Sequence, residues 1–294
     1  MRIIEAVPGH EVLELNYPLV NDFLVRFIRE ELGWRGFKTA VVALSGGVDS
    51  AVTLALGVQA LGAKNVYAVY MPHAISRPES REHAELIARM YGVPFETIDI
   101  TGMVESYAAQ VPGITPRRKG NAMARARTIV GFDKAEQYGG LHLGTGNKTE
   151  RLFGYYTWHD VADTGPINPL GDLYKTQVWG LAEYLKLPQE VVKKPPTADL
   201  EIGQTDEGDL GIAYRKADVI LEHYLKGYPD DYIMKLGYTE AEVERVKSLV
   251  NKTHWKRTIP TVAVISTTAI GEFYLRPLDF RLEEKPKLPT LRES

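Results

Sequence analysis

Within six residues, Ser45-Gly46-Gly47-Val48-Asp49-Ser50 sets two hydroxyls, two glycines and one carboxylate. An apolar, Val-rich run over residues 39–44 precedes them and reads as a buried strand. From Asp49 onward Ala51, Val52, Leu54, Ala55, Leu56, Val58 and Leu61 read as a helix that is apolar almost all round. Strand, glycine turn and helix place free N–H groups and the positive end of a helix dipole at one point, which is an anion site. Ser45 and Ser50 add hydroxyl donors. Asp49 would repel a phosphate unless a cation lay between them, so the expectation is a magnesium–polyphosphate site. Two other phosphate motifs do not fit: the kinase-type loop needs Gly-Lys-Ser/Thr, and the dinucleotide fingerprint needs three spaced glycines.

A second group follows at Gly144-Thr145-Gly146-Asn147-Lys148-Thr149-Glu150. It fails the kinase-type spacing, but sets Thr145 at a predicted strand end and Glu150 one turn into the next helix. At the same sheet edge as Asp49, Glu150 would complete a magnesium site; alone, it reads as a solvated helix residue. Lys175 lies in the first turn of a helix predicted over 173–187. A cation there opposes the helix dipole, which hints at an anionic ligand. None of the seven histidines stands at metal-ligand spacing.

The elements that must position these groups alternate. An amphipathic helix over 18–33 carries Val20, Phe23, Leu24, Phe27, Ile28 and Leu32 on a face expected in the core or a dimer interface. Strands are predicted at 66–71, 95–100 and 141–145. Ser76-Arg77-Pro78-Glu79 reads as a capping box opening a helix through Met90. Residues 112–116 read as a loop before a helix over 119–137, and Asp172 as the cap of the 173–187 helix. Residues 195–211 form a long polar segment of the kind used as lids. Helices near 214–226 and 239–251 precede a proline-bearing tail. The fold class is α/β: a doubly wound parallel sheet flanked by helices, with ligands at the carboxyl ends of the strands. One domain is expected over 1–275, with a tail over 276–294.

Composition narrows the functions. The chain has 294 residues, 25% of them charged, a net charge of −3 and no dominant basic stripe, which argues against a nucleic-acid partner. Pro116-Arg117-Arg118-Lys119 alone is locally basic, a phosphate clamp or a solvated loop. No apolar run reaches the roughly 18 residues of a membrane span, and the N-terminus lacks a signal-peptide pattern, so a cytoplasmic enzyme is expected. With no cysteine, the sequence holds no disulfide, no thiolate metal site, no thiol to carry sulfur and no cysteine nucleophile to release ammonia from glutamine.

Ser45 to Ser50 closely resembles the pyrophosphate loop of the N-type ATP pyrophosphatases, which cut ATP between its α and β phosphates and place AMP on a substrate. Further blocks follow in order: Met71-Pro72 with Ser76 and Pro78-Glu79-Ser80; Lys119-Gly120-Asn121 with Arg125-Ala126-Arg127; Gly144 to Glu150; Asn168 to Gln177; and Pro196-Thr197-Ala198-Asp199-Leu200. Together they resemble the NAD synthetases over residues 20 to 260. The resemblance implies an adenine nucleotide α-hydrolase-like fold and a homodimer. It also implies ATP-dependent amidation of deamido-NAD to NAD through an adenylated carboxylate attacked by ammonia.

Carried over residue by residue, it implies magnesium at Asp49 and Glu150, with Lys175 joining them as the catalytic set. It places ATP against Ala43, Leu44, Ser45, Gly46, Gly47, Val48, Asp49, Ser50, Met71, Thr145, Lys175 and Thr197. It places deamido-NAD against Arg125, Trp158, Asp163, His254 and Lys256, and makes 197–211 the lid. Three positions depart from the family pattern. Trp158 stands where a lysine is usual after Gly154-Tyr155-Tyr156-Thr157, Pro166 where an aspartate precedes Ile-Asn-Pro, and Trp255 splits the usual His-Lys pair into His254-Trp255-Lys256. All three fall on the acceptor side. The alternatives are therefore an adenylating ligase for another carboxylate, and a non-catalytic ATP-binding regulator.

Overall fold

Four short strands meet edge to edge in a parallel sheet. The computed structural model describes residues 7–201, 203–257 and 262–266. In chain order the elements are α1 (Tyr17–Trp34), β1 (Ala40–Ala43), α2 (Val48–Leu61), β2 (Val66–Tyr70), α3 (Pro78–Tyr91), β3 (Phe95–Thr97), α4 (Thr101–Ala109), α5 (Pro116–Gln137), β4 (Leu141–Leu143), α6 (Lys148–Phe153), α7 (Lys175–Tyr184), α8 (Gln189–Val192), α9 (Asp206–Leu210), α10 (Tyr214–Leu225), α11 (Asp230–Lys235) and α12 (Glu240–Lys252). The strand order is β3-β2-β1-β4, all pairs parallel, with Ala40 opposite Val66 on one side and Leu141 on the other.

Strand periodicity sorts β1 and its continuation between two cores. Val42 and Leu44 join the larger core with α1, α2, α7 and α10, while Val41 and Ala43 join a smaller one with α4 and α5. Helices therefore cover both faces, as expected of a doubly wound sheet. The order reverses beside β1, between its neighbours β2 and β4, and the crevice at that point lies beyond Leu44 and Leu143. This arrangement puts the Ser45–Ser50 loop and the Thr145–Glu150 segment at one edge.

Several local expectations are corrected. Ser76 does not cap α3: Pro78 starts the helix, Arg77 is the N-cap residue, and Ser76 Oγ instead accepts from the His73 N–H at 3.1 Å. Asp172 does not cap α7 either. Tyr174 occupies that position, and the exposed Asp172 pairs with Lys148 at 2.9 Å. The helix predicted from 119 starts at Pro116, so the basic stretch lies in its first turn. Helices α4, α8, α9 and α11 had no expectation, and α9 lies inside the segment read as a loop over 195–211; α4 buries only Val104 among its own residues, too little to leave a periodic pattern. Phe23 is exposed beside Leu19 on α1, because the buried stripe runs through Asn21, Leu24, Ile28 and Leu32. The tail over 276–294 lies outside the described residues.

Candidate active site

The loop after β1 is built to leave the first amides of α2 free. Gly46 has φ of 77°, and a Cβ there would meet the Ser80 carbonyl oxygen at 2.1 Å, so only glycine lets α3 pack on the loop. Gly47 is the N-cap residue of α2 and is extended. Ser50 Oγ donates to the Gly47 carbonyl at 3.0 Å and accepts from the Ser45 N–H at 3.2 Å; the two serine hydroxyls are 3.1 Å apart. The hydroxyls thus tie the turn to the first turn of α2, whose amides have no carbonyl one turn behind them.

Asn147 joins the two halves of the site. It is fully buried at the N-terminus of α6, where its Oδ1 accepts from the Glu150 N–H at 3.0 Å and Glu150 Oε2 accepts from its own N–H at 3.3 Å. This reciprocal capping box orients the Glu150 carboxylate. The Asn147 Nδ2 donates to Asp49 Oδ1 at 2.9 Å. Lys175 Nζ then bridges the free oxygens, donating to Asp49 Oδ2 and to Glu150 Oε1, the latter at 3.3 Å. One ammonium is therefore shared by two carboxylates in a buried setting.

The electrostatics follow from burial. Desolvation pushes the Glu150 carboxyl well above the usual carboxylate range; Lys175 draws it back and Asp49 pushes it further. Burial alone would lower Lys175, but Asp49 and Glu150 outweigh it and hold the ammonium above its ordinary value. Asp218, fully buried in α10, supplies the anion that makes a lysine tolerable at the start of α7. Its Oδ2 accepts from the Thr176 N–H at 2.9 Å and its Oδ1 from Thr149 Oγ1 at 2.6 Å, while Thr149 Oγ1 accepts from the Lys175 N–H at 3.0 Å. Burial raises Asp218 to about 6, against those hydrogen bonds.

The segment over 195–206 closes the cleft from above. Pro195 to Leu200 and Asp206 line it opposite the loop. Asp199, at φ of 52°, accepts from the Arg77 N–H at 3.3 Å, and the Arg77 guanidinium donates to the Gln204 carbonyl at 2.9 Å. Lys194 reaches Ser80 Oγ at 2.9 Å, beside the glycine loop.

The residues expected to meet ATP converge here. Ala43, Leu44, Ser45, Gly47, Val48, Asp49, Ser50, Met71, Thr145, Lys175 and Thr197 line one cleft, as does Glu150, expected at magnesium; Gly46 packs against Ser80 and does not line it. The acceptor-side residues do not line it. Arg125 is exposed in a separate groove between α4 and α5 and donates to the Trp158 carbonyl at 3.2 Å. Trp158 packs against His159 at a tilt of 35° and meets Trp255 edge-on at 5.5 Å. Lys256 donates to the Gly154 and Tyr156 carbonyls, His254 pairs with Arg257, and Asp163 faces Arg151 at 3.8 Å. Asn147, Lys194, Asp206 and Asp218 were not anticipated. The Asn-x-x-Glu spacing at 147–150 was a usable signal for the first; the others carry no local pattern.

A parallel sheet with a glycine loop at its switch point, over which two carboxylates share a buried ammonium, defines an ATP-cleaving enzyme of the adenine nucleotide α-hydrolase-like fold. Comparison with known proteins narrows this. The chain belongs to the NAD synthase family, whose model matches residues 20–260. It is 45% identical over 260 residues to the NH3-dependent NAD+ synthetase of Trichlorobacter lovleyi, spanning 88% of this chain and 94% of that one. Among solved structures, the NMN synthetase of Francisella tularensis superimposes with a TM-score of 0.76 at 28% identity, covering 85% of this chain and 99% of that one. The NH3-dependent NAD synthetase of Campylobacter jejuni, in complex with nitrate, gives 0.73 at 26%, covering 85% and 100%.

Proposed function

We propose that this cleft activates the carboxylate of deamido-NAD with ATP, and that ammonia then displaces AMP to give NAD. The enzyme is a ligase that forms a carbon–nitrogen bond, and ATP is a substrate. The observation that carries the reading is Lys175 buried between Asp49 and Glu150 beside the glycine loop and the first amides of α2. A carboxylate resists ammonia because oxide would have to leave; AMP is a stable leaving group. The loop amides and the hydroxyls of Ser45 and Ser50 hold the phosphates so that the α-phosphorus faces the attacking carboxylate in line with pyrophosphate. Lys175 neutralises charge gathering on the α-phosphate. Met71 packs on the adenine, and Thr145 and Thr197 complete the ATP contacts.

Asp49 and Glu150 are the residues that would hold magnesium. The fit is in the donor set: one oxygen of each already converges on a single cation centre, that of Lys175, and hard carboxylate oxygens with substrate phosphates suit magnesium. When bound, magnesium would neutralise phosphate charge. The lid over 197–211 excludes water that would hydrolyse the acyl-adenylate.

The acceptor side is proposed at a homodimer interface. The exposed face of α4 and α5 presents Met103, Tyr107, Ile129 and Phe132 around Arg125, a patch suited to a second copy. Residues 1–275 act as one unit in this reading, with 276–294 as a tail, in the cytoplasm; no helix among the described residues is long and apolar enough to cross a membrane. Arg125→Ala is expected to raise the KM for deamido-NAD by about tenfold or more while leaving that for ATP near wild type, the loss of one charge-assisted bond. Equal KM values for both proteins would remove Arg125 from the acceptor site.

The deciding experiment incubates the protein with ATP, magnesium, deamido-NAD and either ammonium or ammonia-free glutamine. AMP and NAD should form with ammonium alone, since the chain has no cysteine to release ammonia from glutamine. A second reading, amidation of a mononucleotide, is favoured by the two tryptophans that crowd the acceptor side, Trp158 and Trp255. AMP formation with nicotinic acid mononucleotide and none with deamido-NAD would establish it.

A further inference from the structure

One carboxylate in the cleft is left over. Asp206 at the start of α9 is 4% exposed and lines the same cleft as Glu150 and Lys175. Its Oδ2 accepts from the Tyr214 hydroxyl at 3.1 Å, and its N–H donates to the Pro196 carbonyl at 3.0 Å, which fixes it on the lid. Among the described residues its Oδ1 has no hydrogen-bond partner, and it is buried. The Tyr155 hydroxyl faces the same carboxylate but donates to Asp209 Oδ2 at 2.7 Å. A buried acceptor costs free energy unless a donor arrives, so with the Tyr155 proton directed to Asp209, Oδ1 is poised for a donor that the described residues do not supply.

The surroundings say what kind of donor. The same cleft already holds one ammonium head, that of Lys175, between carboxylates and over the Tyr214 ring at 5.5 Å. Asp206 presents a carboxylate and that same phenol to a second, free head of equal chemistry. No three Asp, Glu or His side chains among the described residues converge closely enough to hold a metal ion, while Asp206 feels the Lys175 ammonium and the Asp49 carboxylate through space. A small cation with N–H donors suits this setting: a single charge for one lone oxygen, in a tyrosine-lined corner.

We propose that Asp206 Oδ1 is the ammonium-binding group of this ligase, an inference that rests on the amidation reading above. Ammonium docks on Oδ1 and passes one proton to the carboxylate as its nitrogen becomes ammonia. The nitrogen lone pair forms a bond to the acyl carbon, and the bond from that carbon to the AMP oxygen breaks with its electron pair leaving on AMP. The second proton departs from the new amide to AMP or water. Because Asp206 lies on the lid, nucleophile capture and exclusion of bulk water occur at the same segment.

The test uses the full chain and three readouts: ATP–pyrophosphate exchange with deamido-NAD in the absence of ammonium, the KM for ammonium, and turnover with hydroxylamine. Hydroxylamine is largely uncharged near neutral pH and needs no proton removed before it attacks. For Asp206→Asn we expect exchange close to wild type, an ammonium KM raised about tenfold or more, and hydroxylamine turnover largely retained. Asp206→Glu, which keeps the charge, should recover much of the ammonium KM. Asp206→Ser repeats the measurement if the asparagine variant does not fold. An unchanged ammonium KM overturns the proposal, as does parallel loss of exchange and amidation, which would make Asp206 part of the ATP site. Failure of the wild type to make NAD would instead overturn the amidation reading.

Discussion

Asp49→Asn and Glu150→Gln each lose pyrophosphate release by roughly 10²-fold or more, about 3 kcal/mol of transition-state stabilisation, without loss of fold. The activity loss follows from geometry. Each substitution removes a negative oxygen from the only point where the free oxygens of both side chains converge, at Lys175 Nζ. The unchanged fold follows from charge. Two carboxylates face one ammonium, and burial already drives Glu150 toward its neutral form, so replacing either acid with its amide relieves repulsion. The Asn147 contacts survive, because an amide oxygen still accepts. Pyrophosphate release during adenylation of deamido-NAD reports the first effect, and thermal unfolding the second. Near-normal release from both variants would remove them from any metal or phosphate role.

Lys175→Met is expected to damage both stability and chemistry. The side chain is 3% exposed and its ammonium is the cation that both carboxylates share. Deleting it leaves two buried carboxylates facing each other, a defect of about 3–5 kcal/mol at neutral pH. The pH dependence has a definite sign. Burial already raises Glu150, and losing Lys175, which lowers it, raises it further. A carboxyl raised above its unfolded value stabilises most when protonated, below the unfolded value near pH 4.5. That stability is lost as pH climbs through the folded value. The deficit of Lys175→Met against wild type should therefore shrink on acidification. The double variant Glu150→Gln/Lys175→Met should regain stability at neutral pH while remaining inactive. Unfolding curves at several pH values test this, and a deficit independent of pH would mean that Lys175 contributes by packing alone.

The sequence by itself determined the parts whose physics is local. An apolar run that stops at Ser-Gly-Gly and resumes as an apolar helix reads as strand, turn and helix, so the glycine loop at 45–50 was legible. So was the parallel sheet, because alternating strands and helices of this length leave few other packings. Where a cap depends on which residue starts the helix, local reading went astray, as at Ser76 and Asp172. Proline at 78 moved the first start by one residue, and the buried Asp218 goes with a shift of two at the second.

Tertiary structure alone decided which charges meet. Lys175 lies 126 residues from Asp49 and 25 from Glu150, and no pattern of neighbours can encode a shared ammonium across that distance. The meeting is made by β1 and β4 lying side by side, so that both loops leave the sheet at one edge. The same holds for Asp218, whose two oxygens cap α7 and hold Thr149 from a helix beyond both, and for Asp206, brought over the cleft by its bond to Pro196. Arg125 and Arg127, two apart on α5, show the reason most plainly. Helical rotation turns Arg127 to the cleft, where it holds the Met71 carbonyl, and sends Arg125 into the α4–α5 groove. Which of them faces the cleft was settled only by the face of α5 that packs on the sheet.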